Sequence, residues 1–308
     1  MRAMRIRLVF LLAVVTSTLA SCSAVTRVGV HFLYRHADLA SAQIMRDVCY
    51  LDTPDCDTDK HRLDFYLPQG KHWPVLVFVH GGGWNKGDKA LRVGGADVYA
   101  NIGRYFATQG IGVAVINYRL MPGTDWRGQL ADVRQAVRWV RAHAAAYGGR
   151  TDALFLMGHS AGGWLSSYVA LDTTRGHETP VRGVVCVSGA GLDLTDSLTY
   201  ALGESRDYYV RRFQSGPTDR DWPVEASPVL RVTSAAPPFL ILYAGGEKRA
   251  LQRQAQVLDH ALASSGVERS LVVVPGESHS RMVLTLSRPD KHSVPTILAF
   301  IKAHTPNE

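Results

Sequence analysis

Seven short apolar runs recur along the chain, at Leu63–Leu67, Val75–His80, Ile111–Tyr118, Ala153–Gly158, Val181–Ser188, Phe239–Ala244 and Ser270–Pro275. They are rich in Val, Ile, Leu and Phe and end at Gly, Pro or charged residues, the pattern of parallel strands covered on both faces. Longer amphipathic segments lie between them: Val98–Thr108, Trp126–Tyr147, Ser160–Leu171, Arg249–Ser265 and Val294–Ala303. Within Trp126–Tyr147, Leu130, Val133, Val137, Val140 and Ala144 recur at steps of three and four, which makes one buried helical face. This alternation predicts an α/β fold, a mostly parallel central sheet with helices on both faces. The stretch 189–236 breaks the rhythm with Tyr200, Tyr208, Tyr209, Phe213 and Trp222 among charges. A small insertion over the strand ends is expected there, where open α/β sheets place their sites. Residues 22–60 carry scattered aromatics and no strong period, so they are expected to form an arm over the core of one domain spanning 61–308.

The chain has 308 residues, 46% of them apolar and 20% charged, a makeup that suits a globular protein with one sizeable core. Its N-terminus adds an export signal to that picture. Met1–Arg7 is basic, and Leu8–Val15 is an apolar stretch too short to span a bilayer comfortably. Leu19-Ala20-Ser21-Cys22 follows, and it resembles the lipobox of bacterial lipoproteins, in which the cysteine is lipidated and becomes the new N-terminus. The resemblance implies a signal peptide over 1–21 and a mature protein anchored to a membrane through Cys22. An ordinary secretory signal or an uncleaved anchor is the alternative. Ser23 offers no acidic residue for inner-membrane retention, so the outer membrane or cell surface is the expected location. Each acyl chain contributes about 0.8 kcal/mol per buried methylene, enough for several chains to hold a protein at a membrane.

Removing Arg2, Arg5 and Arg7 with such a leader lowers the formal charge from +7 to about +4. No dense Lys/Arg run or aromatic-basic interleaving accompanies it, so no nucleic-acid partner is expected. Cys49 and Cys56 lie close together in a polar stretch, and an exported chain would allow them to form a disulfide. Cys186 sits inside Val184–Val187 and is expected to be buried in a strand. No cysteine–histidine spacing suits zinc, and neither a metal nor an organic cofactor is implied.

The sharpest chemical signal is Gly158-His159-Ser160-Ala161-Gly162, placed between an apolar run and a helical one. A serine at a strand-to-helix turn is held in a strained conformation, and flanking glycines let neighbouring segments pass close. Its hydroxyl then stands beside the positive end of the following helix. A second signal, His80-Gly81-Gly82-Gly83-Trp84, follows the run Val75–Val79. Consecutive glycines can turn backbone N–H groups toward a developing oxyanion, with Gly82 and Gly83 as donors and Ala161 as a further one. No Gly-Lys-Ser/Thr ending follows, which argues against a nucleotide loop.

These motifs, with Asn117-Tyr118-Arg119-Leu120 and Tyr147-Gly148-Gly149 in the same order, resemble the esterase and lipase branch of the α/β-hydrolase fold. That branch contains hormone-sensitive-lipase-like carboxylesterases, feruloyl esterases, kynurenine formamidases and isoprenylcysteine methylesterases. The resemblance runs from about Arg62 to Phe300 and is strongest over Val75–Val169. It implies a nucleophile, acid and histidine in that chain order. Ser160 is then the nucleophile, and His279, after Val272–Pro275, the general base. The family's Gly-x-x-Asp acid loop is replaced here by Ala244-Gly245-Gly246-Glu247. Glu247 is the leading candidate for the acid, with Asp193 and Asp196 after the preceding strand as rivals and Glu277 read as a loop charge. The implied activity is serine-dependent hydrolysis of a small or medium ester. The aromatic insertion, with Trp84 and Trp164 beside the motifs, suggests an apolar or aromatic group on it, with core or lid packing the commoner role for such aromatics. An arylformamidase-like amide hydrolase and a non-catalytic anchored binding protein are the alternatives.

Overall fold

In a computed structural model, residues 36–51, 56, 59–172 and 180–307 are described. The strands are β1 Ile44–Cys49, β2 Arg62–Tyr66, β3 Trp73–Val79, β4 Arg92–Val93, β5 Ala96–Asp97, β6 Gly112–Ile116, β7 Gly149–His159, β8 Gly183–Val187, β9 Phe239–Ala244 and β10 Arg269–Val274. The helices are α1 Val98–Thr108, α2 Trp126–His143, α3 Ala161–Leu171, α4 Ser197–Ala201, α5 Arg206–Phe213, α6 Trp222–Glu225, α7 Arg249–Ser264, α8 His279–Thr285 and α9 Ser293–His304. Eight strands form one sheet in the order β1-β2-β6-β3-β7-β8-β9-β10. β2 pairs antiparallel with both its neighbours, and every other pairing in that sheet is parallel. The expected mostly parallel sheet flanked by helices is therefore present.

Strand period divides the core into two layers. Val75, Val77 and Val79 of β3 face a layer that includes Leu130, Val133 and Val137 of α2 and Leu258 of α7. Leu76 and Phe78 face the other, with Ile102 and Phe106 of α1 and Ile297 and Ile301 of α9. α3 is buried along its whole length, and its apolar circumference is what a fully enclosed helix requires. Asp97 and Asp125 cap α1 and α2, accepting from Ala100 N and Gly128 N, so each helix starts where a side chain satisfies its first free donors.

The arm expected over 22–60 needs correction. Ile44–Cys49 is an edge strand, with Ile44 opposite Tyr66 and Cys49 opposite Arg62. An irregularity between Met45 and Val48, with Asp47 at φ 53°, breaks the apolar alternation that would have marked it. Cys49 and Cys56 are joined in a disulfide, and Cys186 is buried in β8. The proposed signal peptide and Cys22 lie outside the described residues. Among the described residues no helix is long and apolar enough to cross a membrane.

Residues 189–236 connect β8 to β9 and carry α4, α5 and α6. Their aromatics chiefly pack inward: Tyr209, Phe213 and Trp222 are buried and join Trp84, Trp126 and Trp164 in one core layer. Trp84 and Trp164 are thus packing residues, because the insertion closes over them and leaves no face for a substrate.

Two histidines stand fully enclosed where β3 and β7 end. His80 stacks on Tyr118 with ring centroids 4.4 Å apart, and burial lowers its pKa from 6.5 to about 4. Burial, with the charge of nearby His279 second, lowers that of His159 to about 3. Both stay neutral in the fold while the unfolded chain takes up protons near pH 6.5, so their stabilisation is complete above that pH and is lost below it. Between pH 6.5 and 4, each should cost roughly 1.4 kcal/mol of stability per pH unit. Urea unfolding at stepped pH checks this. The loss should shrink in His159→Gln relative to wild type.

Candidate active site

Ser160 occupies the turn between β7 and α3 at φ 57° and ψ −118°. Such a backbone costs a non-glycine residue roughly 1–3 kcal/mol and persists only where its surroundings enforce it. Here the enforcement is close backbone contact. A Cβ on Gly158 would lie 2.0 Å from Gly162 O, and one on Gly162 would lie 2.1 Å from Val79 O. Ser160 N also donates to Val187 O at 3.0 Å, tying the turn to β8.

The Ser160 hydroxyl donates to His279 Nε2 at 2.9 Å, and His279 Nδ1–H donates to Glu247 Oε1 at 2.5 Å. His279 opens α8 just beyond β10, and Glu247 lies in the loop after β9. The Glu247 side chain is fully enclosed, and among the described residues its Oε2 makes no hydrogen bond. An enclosed carboxylate is costly unless partnered, so its stabilisation runs through the imidazole. Backbone bonds hold the loop that carries Glu247 against its neighbour. Gly245 N donates to Val274 O at 2.8 Å and Gly246 N to Glu277 O at 2.9 Å, drawing the two loops together.

The rival carboxylates face elsewhere. Asp193 Oδ1 accepts from Thr195 N and Oγ1, while Asp196 caps α4 and pairs with Arg253. Glu277 is more than a loop charge: it is buried, with Arg281 and Lys291 each 3.3 Å from its carboxylate. Sequence reasoning also missed His159. Its Nε2–H donates to His279 O at 2.9 Å, so the residue before the serine holds the backbone of the histidine. A histidine inside the serine motif was the available signal, but its acceptor lies 120 residues away.

The glycine loop is tied through its carbonyls. His80 Nδ1–H donates to Gly81 O at 2.7 Å, Lys86 N to Gly82 O at 3.1 Å, and Arg212 Nε to Gly83 O at 2.8 Å. In a trans peptide C=O and N–H point in opposite directions, so anchoring the carbonyls of Gly81 and Gly82 turns the N–H groups of Gly82 and Gly83 away from those anchors. Gly82 at φ 126° and Gly83 at φ 60° follow backbone paths that glycine tolerates best.

Two cavities meet at Ser160 and His279. The larger, of about 630 Å³, runs along the glycine loop and is lined by Leu91, Val93, Tyr99, Val283 and Leu284. The smaller, of about 320 Å³, lies under the insertion and presents Glu204, Ser205, Tyr208 and Lys248. Among the described residues no His/Cys/Asp/Glu group is arranged to hold a metal ion.

Comparison with known proteins gives this geometry relatives. The chain is 31% identical over 239 residues to Esterase LipC of Mycobacterium tuberculosis, an alignment covering 73% of this chain and 58% of LipC. It is 26% identical over 263 residues to isoprenylcysteine alpha-carbonyl methylesterase ICME of Arabidopsis thaliana, covering 79% and 58%. The chain thus spans under three-fifths of the length of either relative. Among solved structures, esterase B from Lactobacillus rhamnosis matches with a TM-score of 0.72 at 23% identity, covering 96% of this chain and 95% of that one. A truncated carbohydrate esterase from gut microbiota matches with a TM-score of 0.73 at 20% identity, covering 86% and 98%. Those two likenesses concern the fold. The BD-FAE family model matches residues 63–262, and the chain belongs to that family, within the esterase and lipase group of the α/β-hydrolases.

Proposed function

We propose that this protein is a serine hydrolase of carboxylic esters that works through an acyl-enzyme. The observation that carries the reading is the continuous relay from Glu247 through His279 to Ser160. Ser160 Oγ attacks the ester carbonyl as its proton passes to His279 Nε2, and Glu247 stabilises the resulting imidazolium without taking the proton. The tetrahedral oxyanion is held by the N–H groups of Gly82, Gly83 and Ala161, each contributing about 10²–10³ in turnover. On collapse the alcohol leaves with the His279 proton. Water then yields a proton to His279 and attacks the acyl carbon. The carboxylic acid departs and Ser160 recovers its proton.

The larger cavity, apolar beside the glycine loop, supports an ester with a small or medium apolar portion. The names of LipC and ICME, an esterase and a methylesterase, support ester over amide chemistry. The leader sequence supports export, acylation at Cys22 and attachment to the outer membrane or cell surface.

A fluorophosphonate probe should label native wild type at Ser160 and leave Ser160→Ala unlabelled; failure to label well-folded wild type rejects the hydrolase reading and favours a binding protein. Glu247→Gln should lower kcat about 10²–10⁴-fold on p-nitrophenyl esters while leaving the unfolding midpoint close to wild type. Near-normal turnover would move the acid elsewhere. Faster cleavage of N-formylkynurenine than of any ester would favour the amide hydrolase. Mass spectrometry of the mature N-terminus should find a diacylglyceryl-modified Cys22, and a start at any unmodified residue rules out the anchor.

A further inference from the structure

The insertion touches the glycine loop through α5. The Tyr208 hydroxyl lies 2.5 Å from the place a Cβ on Gly83 would occupy. With a carbon–carbon bond of about 1.5 Å, that puts the hydroxyl within about 4 Å of the Gly83 Cα. Arg212, one turn further along α5, fixes it there. Its guanidinium lies 3.5 Å from the Tyr208 ring centroid, while its Nε donates to Gly83 O and its Nη1 to Tyr208 O. Trp84 and Tyr209 pack against the same ring, with centroids 6.3 and 5.2 Å away. Tyr208 lines the smaller cavity with Ser160 and His279, whereas Gly83 lines the larger one. Tyr208 therefore stands where the two cavities meet, beside Gly83 and in the company of Ser160 and His279.

We propose that Tyr208 is a further catalytic residue, whose hydroxyl donates a hydrogen bond to the tetrahedral oxyanion beside the Gly83 N–H. The proposal rests on Ser160 being the nucleophile. No proton is transferred: the phenol keeps its hydrogen and offers its dipole, as a preorganised donor does. Burial raises the phenol pKa above its ordinary value, so the group remains a donor through the neutral range. Position 83 must then be a glycine for a second reason, because any side chain there would displace the hydroxyl.

Tyr208→Phe removes the donor and keeps the ring against Arg212. Its kcat on p-nitrophenyl acetate and butyrate should fall about 10- to 100-fold, by similar factors for both esters. KM should stay within about 3-fold of wild type, and inactivation by a fluorophosphonate should slow in step with kcat. A loss seen only in KM, or only with esters of polyhydroxylated alcohols, overturns the proposal and makes Tyr208 a substrate-arm contact. Unchanged kinetics in Tyr208→Phe alongside an active, probe-labelled wild type overturn this proposal alone. An unlabelled, inactive wild type overturns the hydrolase reading as well. If Tyr208→Phe lowers the unfolding midpoint, difluorotyrosine at 208 supplies the second readout. Its more acidic phenol should move the alkaline fall of kcat to lower pH, and an unmoved profile overturns the proposal.

Discussion

Backbone packed directly on backbone, where β7 turns into α3, is the constraint on which the rest of this structure depends. Gly158 and Gly162 leave no side chain between the turn, its helix and the end of β3. Side chains normally separate a helix from a sheet by a layer of their own thickness. Removing that layer draws α3 into the middle of the molecule, which is why its whole circumference is buried. The strained geometry of Ser160 is the local consequence, sustained by the bond from its N–H to Val187 O. The same turn reaches outward through His159, whose ring holds the backbone carbonyl of His279. Serine and histidine are thus placed by one piece of chain, although 119 residues separate them.

The acid arrives by a different route. The loop after β9 has little secondary structure of its own and borrows its position from β10, through Gly245 N on Val274 O and Gly246 N on Glu277 O. Glu277 is itself buried and paired with Arg281 and Lys291 at the surface, so an ion cluster stands beside the loop that presents Glu247. A carboxylate enclosed this completely is oriented by its surroundings before any substrate enters, which is what preorganisation requires of it.

Much of this was legible in the sequence because it depends on local periodicity. The strands β3, β6, β8 and β9 and the helix α1 follow from apolar period and bounding residues, and the glycine spacing around Ser160 identifies its turn. β1 was not legible, since the irregularity at Arg46–Asp47 cancels the two-residue alternation on which strand recognition rests. The β4–β5 ribbon has two residues per strand, too few for any period, and is made by Gly94 and Gly95 at positive φ. The roles of Trp84, Trp164 and Trp222 could not be read either. An aromatic near a functional motif has the same letter whether it lines a cavity or supports one, and only the closing of the insertion over Trp84 and Trp164, with Trp222 among the rings it brings, distinguishes the cases. His159 and Arg212 act on backbone carbonyls far away in sequence, and such acceptors leave no residue-type signature.

The bond from Arg212 to Gly83 O makes the insertion and the glycine loop a single mechanical body. Insertions over strand ends are commonly treated as exchangeable modules that choose the substrate while a fixed chassis performs the chemistry. Here the chassis is completed from the module side, because a carbonyl of the glycine loop is steadied by α5. In the proposed hydrolase, swapping or trimming the segment between β8 and β9 would therefore alter turnover itself along with substrate choice. A graft intended to change preference alone would have to carry an equivalent cation to the same carbonyl.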